Sequence, residues 1–463
     1  MDVRRRRAAI LNDEVVAPVR LDGADMSFGT VPTLKQARPA VVKMLKTTTQ
    51  FLRDIPAVAR AHLITALVVA VTMCARPATA QSTDEPDPAK VRLRVGPLWM
   101  NPTVAMTNIG VDNNVFNEPA QQNPKSDFTF TLTPAVDLWL RVGDTWVVGR
   151  IVEDLIWYDT YASERNASTG YTVGWRVPLA RFGFKIDASR RNARDRPNLE
   201  IDTRAERAET KVTGLVEYRM LSKTYVGVIL ERQGTDYDGE EFYNGANLQS
   251  ELDHTTTGGG LSLRYQLTPL TSLSLTATRK DDRFKYSPLR NSSQSSVSGS
   301  IFLDKFALIR GSATFGYTDF RPDLQTLQAY RGPTASASLS YTLLEATRFT
   351  FDLGRDVQYS YDVSQAYYVQ TRVGGSIQQQ ILGPVDAVAR GSFATLAYTD
   401  RQAIGVTVSG RVDDVSSYGG GVGYRLGRDV RLGFNIDHTN RTSDDASHRY
   451  SDLVFGGSVT YGF

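Results

Sequence analysis

Two histidines in this chain stand beside aspartates, and a carboxylate next to an imidazole is a common start for acid–base or nucleophilic chemistry. Asp253 precedes His254 in one segment, and Asp437, His438 and Asn440 lie together in another. Neither segment carries a nucleophile motif, so neither histidine has a group to activate. In GVDNNVF, Asp112 and Asn114 offer oxygen atoms to a cation, but Asp and Asn are equally turn formers. The triplets at 258–260 and 419–421 lack the downstream residues of a phosphate loop and read as glycines that ease strand curvature. No catalytic residue, cofactor or metal is expected from these groups.

Charged residues with a different spacing say more. Lys185, Glu217, Arg219, Glu231, Arg264, Arg310, Asp352, Asp356, Arg372, Arg390, Arg425 and Arg431 each sit in a run where apolar and polar residues alternate, out of phase with the apolar positions. On a strand with one greasy and one wet face they share the wet face. If such strands close on themselves, the set lines an interior where charges of both signs set a transverse field and choose among solutes.

The elements that hold these residues are strands. From Thr271, Leu273, Leu275 and Ala277 share one face, and Ser272, Ser274, Thr276 and Thr278 share the other. From Arg348, Phe349, Phe351, Leu353, Val357, Tyr359 and Tyr361 oppose Thr350, Asp352, Asp356 and Gln358. The last stretch sets Leu453, Phe455, Val459, Tyr461 and Phe463 against Tyr450, Asp452, Ser458 and Thr460. Residues 146–160 fit the pattern poorly. Alternation of this length needs a packed core or lipid against its greasy side. A mean hydropathy of −0.29 argues against membrane helices but not against strands, whose two faces average out.

Short connections at 141–146, 177–182, 220–225, 266–271, 303–308, 343–348, 381–386 and 425–430 recur about every 35 to 47 residues, each with residues that favour a tight reversal. Between them lie long, polar connections, such as those from Arg194, Asp236 and Asp319. Eight short turns and nine long loops separate eighteen strands, sixteen being the alternative count. The fold class expected is all-β: a transmembrane antiparallel up-and-down β-barrel with short periplasmic turns and long extracellular loops. A secreted β-sandwich or propeller competes, and the loop asymmetry speaks against it.

Aromatic residues are expected to form two girdles at the headgroup level. Tyr218, Tyr265, Tyr341 and Tyr424 precede short turns, with Trp139, Trp146, Trp175, Phe182, Tyr225 and Phe349 at similar depth. Near the long loops stand Trp157, Tyr158, Phe284, Tyr317, Tyr359, Tyr361, Tyr367, Tyr368 and Tyr398. The aromatics at 359–368 offer a second reading, as faces on which sugars stack.

The front of the chain reads as an address. An apolar stretch at 62–73 follows Arg53 and Arg60 and precedes small residues Ala78 and Ala80, the pattern of a secretory signal cleaved after Ala80. Residues 1–43 are then an N-terminal extension or a mis-assigned start, 44–80 the signal, 81–100 a periplasmic lead and 101–463 the barrel. Residues 81–463 hold 41 Lys plus Arg against 44 Asp plus Glu, a balance that gives no footprint for nucleic acid. The one cysteine, Cys74, falls in the leader, so the exported chain has neither disulfide nor thiol nucleophile.

The segment 107–140, with Asp112, Asn113, Asn114, Val115 and Phe116 before a loop and then a strand containing Thr133-Pro134, resembles the opening of a β-barrel porin family found with exopolysaccharide-secretion genes. That resemblance implies a bacterial outer-membrane barrel linked to polysaccharide export. Val459, Tyr461 and Phe463 resemble the terminal signature that the barrel-assembly machinery reads. The expected function is a porin-like channel for polysaccharide export or small polar solutes. A structural or surface-interaction barrel without through-flux is the alternative, and an outer-membrane hydrolase is weaker still. Expected partners are outer-membrane lipid, lipopolysaccharide, the assembly machinery and exopolysaccharide.

Overall fold

A computed structural model describes residues 86, 91–304, 307–324, 326–362, 365–399 and 410–462. The leader, its cleavage site and Phe463 lie outside them.

Eighteen long strands make one closed sheet. They are β1 (Leu98–Asp112), β2 (Asp127–Val142), β3 (Thr145–Tyr158), β4 (Asn166–Pro178), β5 (Phe182–Asp195) and β6 (Ala205–Arg219). Next come β7 (Thr224–Tyr237), β8 (His254–Thr268), β9 (Thr271–Phe284), β10 (Ser292–Leu303), β11 (Ile309–Pro322) and β12 (Tyr330–Leu343). The last are β13 (Thr347–Tyr359), β14 (Tyr367–Leu382), β15 (Val385–Thr399), β16 (Val412–Leu426), β17 (Val430–Ser443) and β18 (Tyr450–Tyr461). Each pairs antiparallel with its sequence neighbours, and β18 returns to β1 from Val104–Tyr461 to Asp112–Val454. Closure leaves no unpaired edge in hydrocarbon. A short strand, Leu93–Val95, folds back on the start of β1.

All eight expected reversals join paired strands on one side, from β2–β3 to β16–β17. The poor alternation at 146–160 has a physical cause. β3 puts Val148 and Val152 on the inward face together with Arg150, because Trp139 and Ala135 of β2 stand opposite them. Many outward positions along the strands are apolar and uncovered, for example Leu230, Leu261, Val297 and Phe315. Among the described residues no helix is long and apolar enough to cross a membrane, which says nothing of strands.

The seam is tight at one point. Asn108 adopts a left-handed φ of 54°, shifting the β1 register between Met106 and Ile109, and brings Gly110 against β18. A Cβ on Gly110 would fall 2.0 Å from the Phe455 carbonyl oxygen. Gly110→Val is therefore expected to cost about 4 kcal/mol or more. Gel mobility with and without heating checks this: the variant should run as the unfolded band in both lanes.

The girdles are only partly as expected. Tyr218, Tyr265, Tyr424, Phe182, Phe349, Trp157 and Tyr317 are exposed on the outside. Trp139 and Tyr225 instead face inward, and Trp146 is buried beside Trp99. Tyr158, Phe284, Tyr361, Tyr367, Tyr368 and Tyr398 are buried, and Tyr359 packs among them. Tyr158, Phe284, Tyr368 and Tyr398 hold inward positions, whereas Tyr359 and Tyr367 stand at outward positions and are covered because β13 parts from β12 at its outer end. Pairing of β12 with β13 stops at Ala335–Arg355, while β13–β14 pairing runs on to Tyr359–Tyr367. There the Tyr359 hydroxyl donates to Asp282 of β9 at 2.7 Å.

Candidate functional site: the lumen and its outer lid

The twelve charged residues named from the sequence all lie on the face opposite the exposed apolar positions, but most are already matched to a partner. Arg264 makes a two-pronged contact with Glu217, at 2.7 and 2.9 Å, and covers the Tyr225 ring at 3.9 Å. Arg390 is paired with Asp437. Asp386 accepts from Arg431 at 2.6 Å and lies 3.5 Å from Arg425. Glu231 sits between Lys211 and Lys280, at 3.1 and 3.4 Å. Arg219 donates to the Ser222 carbonyl, and Asp356 accepts from its neighbour's N–H. Lys185 occupies an inward position on β5, between Gly183 and Asp187. Among the described residues Arg310 and Arg372 have no carboxylate within ion-pair distance, and Asp352 has no basic partner within that distance. Sequence reasoning found these charges but not the partners Asp386, Lys211 and Lys280, and it named Asp437 only beside His438, not as the partner of Arg390.

The Asp–His pairs come apart. Asp437 faces inward to Arg390, while His438, one residue on, faces outward with its ring 5.0 Å from Tyr418. Adjacent strand residues point to opposite faces, so this pair shares no site. Asp253 accepts from the Tyr237 N–H at 2.6 Å, and His254 Nδ1 lies 2.7 Å from the Leu252 carbonyl, its ring stacked on Phe284.

The DNNVF segment is a structural knot at the outer end of the seam. Asp112 accepts from the Asn114 N–H, Asn113 Oδ1 accepts from the Leu453 N–H, and Asn114 Nδ2 donates to the carbonyls of Glu118 and Ser451. Val115 is fully buried, and its carbonyl accepts from both Arg196 and Arg204. Phe116 packs edge-on against Tyr161. These side chains tie β1 to β18 and anchor the next element.

That element is a lid. The loop 196–204 leaves the wall between β5 and β6, and residues 360–362 and 365–366 leave it between β13 and β14, eight strands away around an eighteen-strand ring. Contacts between them therefore cross the outer mouth. Glu200, fully buried, accepts from Ser360 Oγ at 2.5 Å and the Tyr361 N–H at 3.2 Å. Arg441 of β17, also buried, donates to the Glu200 carbonyl, to Asp202 at 2.7 Å and to Asp413 of β16 at 2.6 Å. Arg290 arrives from the β9–β10 loop, donating to the Ser360 and Tyr361 carbonyls and to Glu251. Ile201, Tyr237, Leu248, Leu252 and Tyr361 form an apolar core beneath this network. Local bonds only turn the loops, as where Asn198 accepts from the Glu200 and Ile201 N–H groups; the bonds that close the lid join residues far apart in the chain and leave no signal in the local sequence.

The lid holds an unusual acid. Burial pushes the Glu200 carboxyl up to about 7, against the pull of its hydrogen bonds and of Arg411 and Arg441. Burial wins because both guanidiniums are already committed, Arg411 to Asp413 and Arg441 to Asp413 and Asp202. Burial also raises Asp202. His448, within reach of Asn244 and the Tyr361 hydroxyl, is held below its ordinary value by burial, and Arg411 and Arg441 add to the effect.

A closed antiparallel barrel with an apolar exterior, a polar interior and loops folded across its outer mouth is the architecture of a transmembrane channel protein of the outer membrane. The family described as "Putative beta-barrel porin 2" matches residues 87–463, and the chain belongs to it. No curated protein matches the sequence. Among solved structures, the outer membrane protein opdK from Pseudomonas aeruginosa is 11% identical, with a TM-score of 0.41, over 78% of this chain and 97% of that one. A BenF-like porin from Pseudomonas fluorescens Pf-5 is 10% identical, with a TM-score of 0.42, over 79% and 98%. A bacterial polysaccharide outer membrane secretin is 11% identical, with a TM-score of 0.31, over 79% and 98%. The family is one of non-enzymatic channels.

Proposed function

We propose that this barrel passes uncharged polysaccharide chains outward across the outer membrane, under a lid that opens for them. The observation that carries this reading is an inward wall of hydroxyls. On β9 to β12 the inward positions are held by residues such as Thr278, Ser296, Ser300, Thr314, Ser336 and Ser340, and β10 and β12 contribute no charge to it. Neighbouring hydroxyls bond across the strands, Thr278 to Ser296 at 2.7 Å and Ser300 to Thr314 at 2.8 Å. Passage needs contacts favourable enough for entry and weak enough for release. A row of hydroxyls offers a polyol that kind of surface.

Lipopolysaccharide is a fitting neighbour. Arg279, Arg283, Arg321 and Arg331 stand at outward positions near the outer ends of β9, β11 and β12, at the depth where its phosphates lie. We also take the outward Val459 and Tyr461 as part of the surface read by the assembly machinery.

Planar-bilayer recording of the folded protein tests the transport reading. Neutral polysaccharide fragments added on the short-turn side are expected to block open-channel current, and the same fragments on the loop side to block it less. A channel that is equally indifferent to fragments on both sides argues for small-solute diffusion. A folded barrel that never conducts argues for a structural role.

A further inference from the structure

The lumen wall opposite the hydroxyl face contains a recess of about 420 Å³ lined by Trp139, Asp137, Arg150, Arg176, Asp187 and Lys211. Its size falls in the range of about 300–1,000 Å³ typical of small-ligand sites. Three features mark it as built for a ligand. The first is a partly exposed indole in the lining. Arg94 lies over Trp99 at 4.5 Å, and Trp146 is packed by Trp99 and Arg141, whereas among the described residues neither a ring nor a cation stacks on Trp139.

The second feature is charge already neutralised in pairs. Arg150 holds Asp137 at 2.8 Å, and Arg176 holds Asp187 at 2.6 Å. Lys211 is engaged by Glu231 at 3.1 Å. Arg150 and Asp187 remain about half exposed, at 47% and 51%, so their outer donors and lone pairs face the recess. The third feature is missing bulk. A Cβ on Gly174 would fall 2.5 Å from Asp187 Oδ1 and 2.7 Å from Arg176 Nη1, so the glycine leaves the room that the second pair occupies.

We infer that this recess is a saccharide subsite, taking a short neutral sugar unit with its C–H face on Trp139 and its vicinal hydroxyls on the two Arg–Asp pairs. An indole face suits the apolar side of a pyranose ring. A guanidinium–carboxylate pair presents donors and acceptors side by side, which matches adjacent hydroxyls. An anion or a cation gains less here, since each fixed charge already has its opposite. The inference rests on the transport reading and deepens it by naming where the chain is gripped and by what chemistry.

The test is calorimetric titration of the full folded protein with three neutral trisaccharides, a glucan, a mannan and a galactan. Trigalacturonate and benzoate serve as charged comparisons. Saturable binding of at least one neutral trisaccharide is expected, with Trp139→Ala weakening it by about tenfold or more. Gly174→Ala keeps the indole but pushes the ion pair into the recess, and should weaken binding too; it carries the test if Trp139→Ala fails to give a heat-modifiable barrel. Absence of saturable binding by all three, tighter binding of trigalacturonate or benzoate, or unchanged affinity in both variants would overturn the subsite. Liposome permeation measured alongside separates the two ideas. Permeation without binding removes the subsite and keeps the channel, and binding without permeation keeps the subsite and removes the channel.

Discussion

Raising the pH from about 5 to about 8 should open the outer mouth, and Glu200→Gln should remove most of that opening. Out of the lid, Glu200 would ionise near its ordinary 4.5; docked, it does so near 7. The docked form therefore binds more protons across this window, and losing them as pH rises favours the undocked form. Docking is strongest below about 4.5, where both forms are protonated, and this stabilisation is lost as pH passes the docked value near 7. The difference amounts to about 3 kcal/mol, roughly a hundredfold in the ratio of closed to open.

The surroundings of Glu200 support the sign. Ser360 and Tyr361 face it from the opposing loop, Arg411 and Asp413 from the start of β16, Arg441 from β17, and Tyr237, Tyr368 and Tyr398 from β7, β14 and β15. Asp202, raised by burial, acts in the same direction. His448, lowered by burial, acts in the opposite one and weakens docking as it gains a proton in acid. The net effect is a lid tightest in mildly acidic solution and loosest above about 7. Single-channel conductance against pH reads it directly. An identical profile in the wild type and in Glu200→Gln would show that another group sets the response.

The barrel and its lid were legible in the sequence to very different degrees, for one physical reason. Lipid imposes a two-residue period on every strand, so Leu273 to Thr278 declare their faces without knowledge of any partner. Tight turns are local too, and each of the eight fell where its residues placed it. The same period misleads at strand ends. Tyr359 and Tyr367 continue the greasy face of their strands, yet they are covered because β13 parts from β12 there while β14 stays paired with β15. The DNNVF segment carried a family resemblance, while its work of clamping β18 and anchoring 196–204 depends on residues more than eighty positions away. Inward charge was legible from parity, but the pairing of Arg264 with Glu217, 47 residues apart, required the strand register.

Arg441→Met is expected to unlatch the lid while leaving the barrel folded. The guanidinium is buried and bridges three elements: β17, which carries it, Asp413 of β16, and Asp202 with the Glu200 carbonyl in the loop 196–204. Removing it strips Asp202 and Asp413 of a buried counter-charge, a loss of about 3–5 kcal/mol when one partner of such a pair is deleted. Asp413 retains Arg411 and Ser443, so the wall can bear the change. Asp202 retains hydrogen bonds from Asn117 at 3.3 Å and the Tyr243 hydroxyl at 3.2 Å and the nearby charge of Arg196, which is itself bonded to the Asp202 backbone carbonyl rather than to its carboxylate. The cost therefore concentrates on the loop side of the bridge. Two readouts should move together: open-channel current rises, and trypsin cleaves after Arg204 in a barrel that still shifts on heating, the Arg196–Pro197 bond being closed to trypsin. The Val115 carbonyl that anchors Arg204 does not depend on Arg441, so cleavage there reports a loop that has left its seat. A folded variant whose loop stays resistant and whose current is unchanged would mean that Glu200, Arg290 and the apolar core hold the lid without Arg441.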